Sequence, residues 1–170
     1  LGEPHHTAKM QLSVAEMEAK RGLLENARRH TAVARRLLLA SPNAYLEAFS
    51  HNLDLAVSIL LNQFETAEAC GLLATETVSR SGAARLQRAV LCNLGNLRME
   101  LGEFEAAAEH YEQALAISLP CKTSIVPMLE GLSRIHLRQG QFNKCAELLD
   151  PIDLMVRHDG HGGAPVTVDI

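Results

Sequence analysis

The sequence predicts an all-α fold, an array of four helical hairpins. Three observations predict it: a frame that returns every 38 to 40 residues, a composition suited to helices, and a glycine or asparagine at the turn of each frame. Of the 170 residues, 47% are hydrophobic and 21% charged, enough to bury a core. Ala, Leu and Glu are abundant, Trp is absent, and Tyr and Phe together number six, which disfavours an all-β domain. The net charge of −4 excludes the global basic excess of a protein that coats nucleic acid. Apolar runs such as Leu37-Leu38-Leu39-Ala40 fall far short of the roughly 20 residues that cross a bilayer, so a cytoplasmic protein without membrane contact is expected.

The frame is clearest from Asn93 to Ile117, where an apolar-periodic helix, a turn at Gly102 and a second such helix follow one another. Matching turns occur at Gly22, Asn62 and Gly140, giving spacings of 40, 40 and 38 residues. The residue just past a helix C-terminus takes a left-handed backbone, which Gly and then Asn accept most easily. Two residues on, Leu24, Phe64, Phe104 and Phe142 place an apolar plug at the start of the second helix. Small side chains follow at Ala27, Ala67, Ala107 and Cys145, and at Ala34, Ala74 and Ala114 with Ile152 in the last frame, so that a facing helix can approach closely. The predicted units are 8–47, 48–87, 88–125 and 126–157, one hairpin each, stacked as an α-solenoid.

Breaks between helices have their own signals. Ser41-Pro42 reads as an N-cap with Pro at the first helical position, and Ser81-Gly82 and Pro120 separate hairpins. Thr123 or Ser124 caps the fourth hairpin, with Pro127 in its first turn. Pro151 lies inside the last helix and predicts a kink or an end near Asp150. Residues 1–7 lack periodicity and read as a flexible segment. Residues 158–170 read as a Gly-rich linker leading into a strand-like Val166-Thr167-Val168-Asp169-Ile170, the start of a following domain in a longer protein.

The third frame resembles a tetratricopeptide repeat: Leu94, Gly95, Ala107, Tyr111 and Ala114 stand at that family's spaced large and small positions. The other three units are similar to it in register more than in identity. Ala15, Leu55 and Ser133 replace the helix-contact Gly, and Thr31, Gly71 and Leu149 replace the aromatic. The period exceeds the family's usual length of about 34 residues and is similar to the lengthened repeats of bacterial regulators and kinesin light chains.

The resemblance implies a concave surface lined by the first helix of each unit, with Asn52 in unit two, Asn93, Asn96 and Glu100 in unit three, and Glu130, Arg134 and Arg138 in unit four as groove residues. Asparagine amides both donate to and accept from a peptide backbone, and arginine forks onto a carboxylate, so the groove suits an extended segment with an acidic residue or free C-terminus. Family members that hold the acidic tails of heat-shock chaperones use a clamp of Lys and Asn, then Asn, then Lys and Arg. Here Leu12, Glu16, Leu53, Ala89 and Asn93 take those places, which argues against a co-chaperone role.

Catalytic and metal signatures are missing from the sequence. Gly160-His161-Gly162-Gly163 lacks the Lys-Ser/Thr and the strand-helix setting of a phosphate loop. His158, Asp159 and His161 lie in a Gly-flanked tail with no second layer of residues to orient them on a metal. Cys70, Cys92, Cys121 and Cys145 contain no C-x-x-C and read as reduced, mostly buried thiols. Arg28, Arg29, Arg35 and Arg36 form a stripe that is either a solvated face or a contact for an acidic partner. Asp54 stands in the apolar slot of Val14, Leu94 and Leu132, marking either a local register shift or a buried carboxylate that needs a partner.

The expected function is a non-catalytic protein-interaction module, without cofactor, in a larger cytosolic bacterial regulatory or signalling protein. The partner would be a protein or peptide rather than nucleic acid. A ligand- or peptide-sensing domain coupled to a DNA-binding or catalytic domain is the second reading. The end of unit four, with Leu148, Leu149, Ile152, Leu154 and Met155, is expected to meet another copy or a linked domain.

Overall fold

The computed structural model describes residues 3–121 and 125–159, and there the chain forms eight helices and no strand. They are α1 Glu3–Lys20, α2 Leu24–Ala40, α3 Ala44–Leu60, α4 Phe64–Ser81, α5 Ala84–Glu100, α6 Phe104–Cys121, α7 Val126–Arg138 and α8 Phe142–Asp159. Consecutive pairs α1–α2, α3–α4, α5–α6 and α7–α8 pack as hairpins, each helix touching only its own unit and the adjacent ones.

Each hairpin turns by the same backbone device. Gly22, Asn62, Gly102 and Gly140 have φ of 77°, 56°, 77° and 72°. At the first turn the Gly22 N–H donates to Ala19 O at 3.0 Å and the Leu23 N–H to Glu18 O at 2.9 Å. The same two bonds recur from Asn62 to Ile59 and Gln63 to Ser58, from Gly102 to Met99 and Glu103 to Arg98, and from Gly140 to Leu137 and Gln141 to His136. This reverse turn satisfies carbonyls that the helix end leaves open and aims the plug, two residues on, back at the first helix. Leu24, Phe64 and Phe104 are half-buried against the core in this way. The small residues Ala27, Ala67, Ala107, Ala34, Ala74 and Ala114 are all fully buried between facing helices.

Several boundaries differ from the sequence reading. Residues 3–7 are helical rather than flexible, because His5 Nε2 lies 2.9 Å from Ser41 O and 2.8 Å from Ser41 Oγ and ties the start of α1 to the end of α2. Ser41 caps the C-terminus of α2, and the N-cap of α3 is Asn43, whose Oδ1 accepts from the Leu46 N–H at 3.0 Å. The Asn43 N–H donates in return to Glu47 Oε1 at 3.1 Å, a reciprocal cap that Ser41, two residues earlier, does not form. Pro120 lies in the last turn of α6 and Pro127 in the first turn of α7. α8 runs through Pro151 to Asp159, so it does not end near Asp150; proline's fixed φ is helical, and its cost is one missing donor. The Thr123 and Ser124 caps and the strand at 166–170 lie outside the described residues.

The inner helix layer as candidate functional site

The odd helices form a continuous layer. α1 packs on α3, α3 on α5 and α5 on α7, whereas no two even helices touch among the described residues. An array whose helices meet along one layer and separate along the other curves toward the layer in contact. The odd helices therefore form the inner layer, and all seven polar residues singled out from the sequence lie on these helices.

Their side chains divide into two groups. Asn52 is buried and accepts from Asn93 Nδ2 at 3.0 Å, so this pair bridges α3 and α5. Asn96 accepts from the Tyr111 hydroxyl at 2.7 Å, tying α5 to α6. These amides are partly engaged by the fold: Asn93 keeps its carbonyl oxygen, and Asn96 its two amide protons, for another partner. Towards the C-terminus the surface is open. Arg134 Nη2 of α7 lies 3.6 Å from Glu100 Oε1 of α5, both side chains well exposed. Glu130 and Arg138 are exposed and have no polar partner among the described residues. Two acidic and two basic side chains, Glu100 and Glu130 with Arg134 and Arg138, thus stand on two adjacent odd helices.

Asp54 is a buried carboxylate with its partner, not a register shift. Its neighbours Leu53, Leu55 and Val57 are buried as the frame requires, and Asp54 forms an ion pair with Arg35 of α2. The arginine stripe splits accordingly. Arg28 reaches Gln63 Oε1 at 3.1 Å and Arg35 holds Asp54, so two of the four fasten unit one to unit two, while Arg29 and Arg36 are exposed.

The titratable groups behave as structural ones. Burial pushes the Cys92 thiol up to about 11 and raises Cys70, against the pull of nearby arginines. Such thiols stay protonated and are poor nucleophiles. Burial also lifts the Tyr111 phenol well above its ordinary range. Among the described residues no three His, Cys, Asp or Glu side chains cluster to hold a metal ion, and no helix is long and apolar enough to cross a membrane. A depression at the α7–α8 turn, lined by Gly140 to Lys144, opens broadly to solvent.

The inter-unit bonds Asn52–Asn93 and Arg35–Asp54 were not read from the sequence. One signal was present for the first: the two asparagines are 41 residues apart, one period plus one, which sets them on facing inner helices.

Residues 89–118 match the family model of the tetratricopeptide repeat. No curated protein matches the chain. The match falls on α5 and α6, with Gly95 and Tyr111 in van der Waals contact at its centre. The α5–α6 hairpin is thus similar to a tetratricopeptide repeat, a repeat that in its family generally mediates protein–protein interaction, and it is set within an array of four helical hairpins.

Proposed function

We propose that the chain is the interaction module of a regulatory or signalling protein and that its inner surface holds an extended protein segment carrying an acidic residue or a free C-terminus. The observation that carries this reading is the exposed charge on α5 and α7, where Arg138 has no partner among the described residues and Arg134 has only a long, solvated contact to Glu100. A guanidinium in that state can exchange water or a distant carboxylate for a two-pronged bond to an incoming one. Asn93 and Asn96, one turn apart on α5, offer the acceptor and donors that an extended backbone needs alongside. The broadly open depression at the α7–α8 turn is no small-molecule pocket and adds nothing to the ligand-sensing alternative.

The test compares labelled extended peptides with acidic ends, carrying either a free or an amidated C-terminus, on the wild type and on Arg134→Ala/Arg138→Ala. Preference for the free carboxylate should be present in the wild type and lost in the variant, at an unchanged melting temperature because both side chains are exposed. Equal binding of the two peptide forms, or a variant that binds as the wild type does, overturns the assignment. Asn96→Ala is a poor probe, since it also removes the acceptor of the buried Tyr111 hydroxyl.

A further inference from the structure

Three of the even helices carry the same two exposed positions and fill them differently. Ten and eleven residues past each turn stand Ala32 and Val33 on α2, Leu72 and Leu73 on α4, and Glu112 and Gln113 on α6, all exposed. The polar pair on α6 suits a face left to water, whereas on α4 Leu72 is 75% exposed. No two even helices touch among the described residues, so hairpins added before α1 or after α8 would lie beside this face and leave it open.

Charges of opposite sign flank the two apolar strips. On α2, Arg29 and Arg36 stand one turn before and one turn after the strip, exposed and without polar partners among the described residues. On α4 the position equivalent to Arg36 is Glu76, and Glu65 lies two turns before Leu72, both exposed and without ion-pair partners among the described residues. The other two arginines of α2 hold it to unit two, Arg28 through Gln63 and Arg35 through Asp54. A basic strip and an acidic strip are therefore carried side by side on two fastened units.

We infer that the chain pairs with a second copy of itself through α2 and α4, about a two-fold axis parallel to these helices. α2 of one copy then lies along α4 of the other, and the 40-residue period sets equivalent positions level with each other. Arg36 meets Glu76, Val33 meets Leu73 and Ala32 meets Leu72, each contact made twice. Arg29 falls against the small Ala69 with Glu65 one turn away, which offsets the meeting of Glu25 with Glu65 at that end. A two-fold axis across the helices would instead lay α2 on α2 with Arg29 against Arg36, and the like charges disfavour it.

Sedimentation equilibrium over a concentration series tests this. The wild type should rise from monomer to dimer and no further, because the contact closes on itself. Arg36→Glu and Glu76→Arg should each weaken dimerisation at least severalfold, since each sets like charges together at both contacts. Mixed in equal amounts, the two variants should recover it as a heterodimer, and the double variant should recover it alone. Leu72→Lys should leave a monomer, and Gln113→Lys, at the matching position of α6, should dimerise as the wild type does. All four side chains are exposed, so circular dichroism and melting should match the wild type throughout. A wild type that stays monomeric at its highest soluble concentration overturns the inference and leaves the face to a linked segment or to a different protein. Growth past the dimer, or a dimer that Leu72→Lys leaves intact, overturns it as well. So does a dimer that Gln113→Lys weakens equally or that the mixed charge variants fail to recover, because the contact then lies elsewhere.

Discussion

Units two and three build the same hairpin from opposite distributions of bulk. In unit three the first helix supplies Gly95 and the second Tyr111, and a Cβ on Gly95 would come within 2.7 Å of the Tyr111 ring. In unit two the first helix supplies the fully buried Leu55 and the second Gly71, where a Cβ would lie 3.8 Å from Leu55. The volume at the contact is retained while its source moves across the hairpin. The exchange extends into the neighbouring unit. Space over Gly71 is taken by Leu94 of α5, and the Tyr111 ring requires Gly131 on α7, where a Cβ would fall 2.4 Å from it. A unit of this array is thus specified jointly with the next one, and the family match at 89–118 falls on the hairpin that pairs Gly95 with Tyr111.

The largest expected effect follows from removing unit three's source of bulk. Tyr111 is the largest fully buried side chain and touches both its own hairpin and α7. Tyr111→Ala should destabilise by about 3–5 kcal/mol through the cavity alone, with the Asn96 bond lost besides. Urea unfolding measures this, and a loss below about 1 kcal/mol would mean that the ring is not the keystone of the unit three–unit four junction.

Adding bulk to the other side is the next effect in size. Gly95→Leu introduces unit two's arrangement while Tyr111 remains, and overpacking should cost about 1–3 kcal/mol. Combined with Tyr111→Gly, it transplants the whole Leu55/Gly71 pair, and the double variant should be more stable than the sum of the two single losses predicts. Strict additivity would show that the two positions do not share one volume.

This exchange marks how far the sequence was legible. The turns were readable because left-handed backbone needs Gly or Asn, and Gly22, Asn62, Gly102 and Gly140 all adopt it. The buried small residues were readable because close approach of helices excludes anything larger, as at Ala67 and Ala107. Unit two looked degenerate because compensation between Leu55 and Gly71 is a property of contact, which a motif read along one chain does not record. The start of α1 was missed for a similar reason, since His5 is held by Ser41, 36 residues away. The sequence set its seven polar residues on the first helix of each unit, and they lie on the odd helices. It did not reveal that Asn52, Asn93 and Asn96 are bonded to the protein itself, because those partners lie on other helices.

A smaller effect is expected where unit two departs in charge. Asp54 occupies the slot that Leu94 fills in unit three, and its partner Arg35 keeps a 41% exposed side chain. Asp54→Leu removes the desolvation of a buried carboxylate and leaves an arginine that water can still reach. Stability should change by less than about 1 kcal/mol, and the change should shift towards a gain as salt rises and screens the pair that the substitution removes. A loss of several kcal/mol would make the Arg35–Asp54 pair a principal clasp between units one and two.

The smallest effect is a dependence on pH, and it too differs between the units by position. Half-buried His51 of α3 corresponds to Leu91 in unit three, and half-buried His110 of α6 to Cys70 in unit two. Burial lowers the affinity of His51 for a proton below its ordinary value of 6.5, Arg35 lowers it further and Glu47 opposes them. His110 is lowered by burial and Arg98 against Glu109. In both cases the unfolded chain binds the proton at a higher pH than the folded one. Stability from these groups is therefore present above the ordinary histidine value and is lost as the pH falls through it towards the folded value. Urea midpoints taken between about pH 7.5 and pH 5.5 should fall, and His51→Leu and His110→Cys, each borrowing the residue of the other unit, should both flatten the curve. A curve that either substitution leaves as steep as before would mean that the protonated imidazole finds in the folded state a partner as good as water, and that the two units differ at these positions in shape alone.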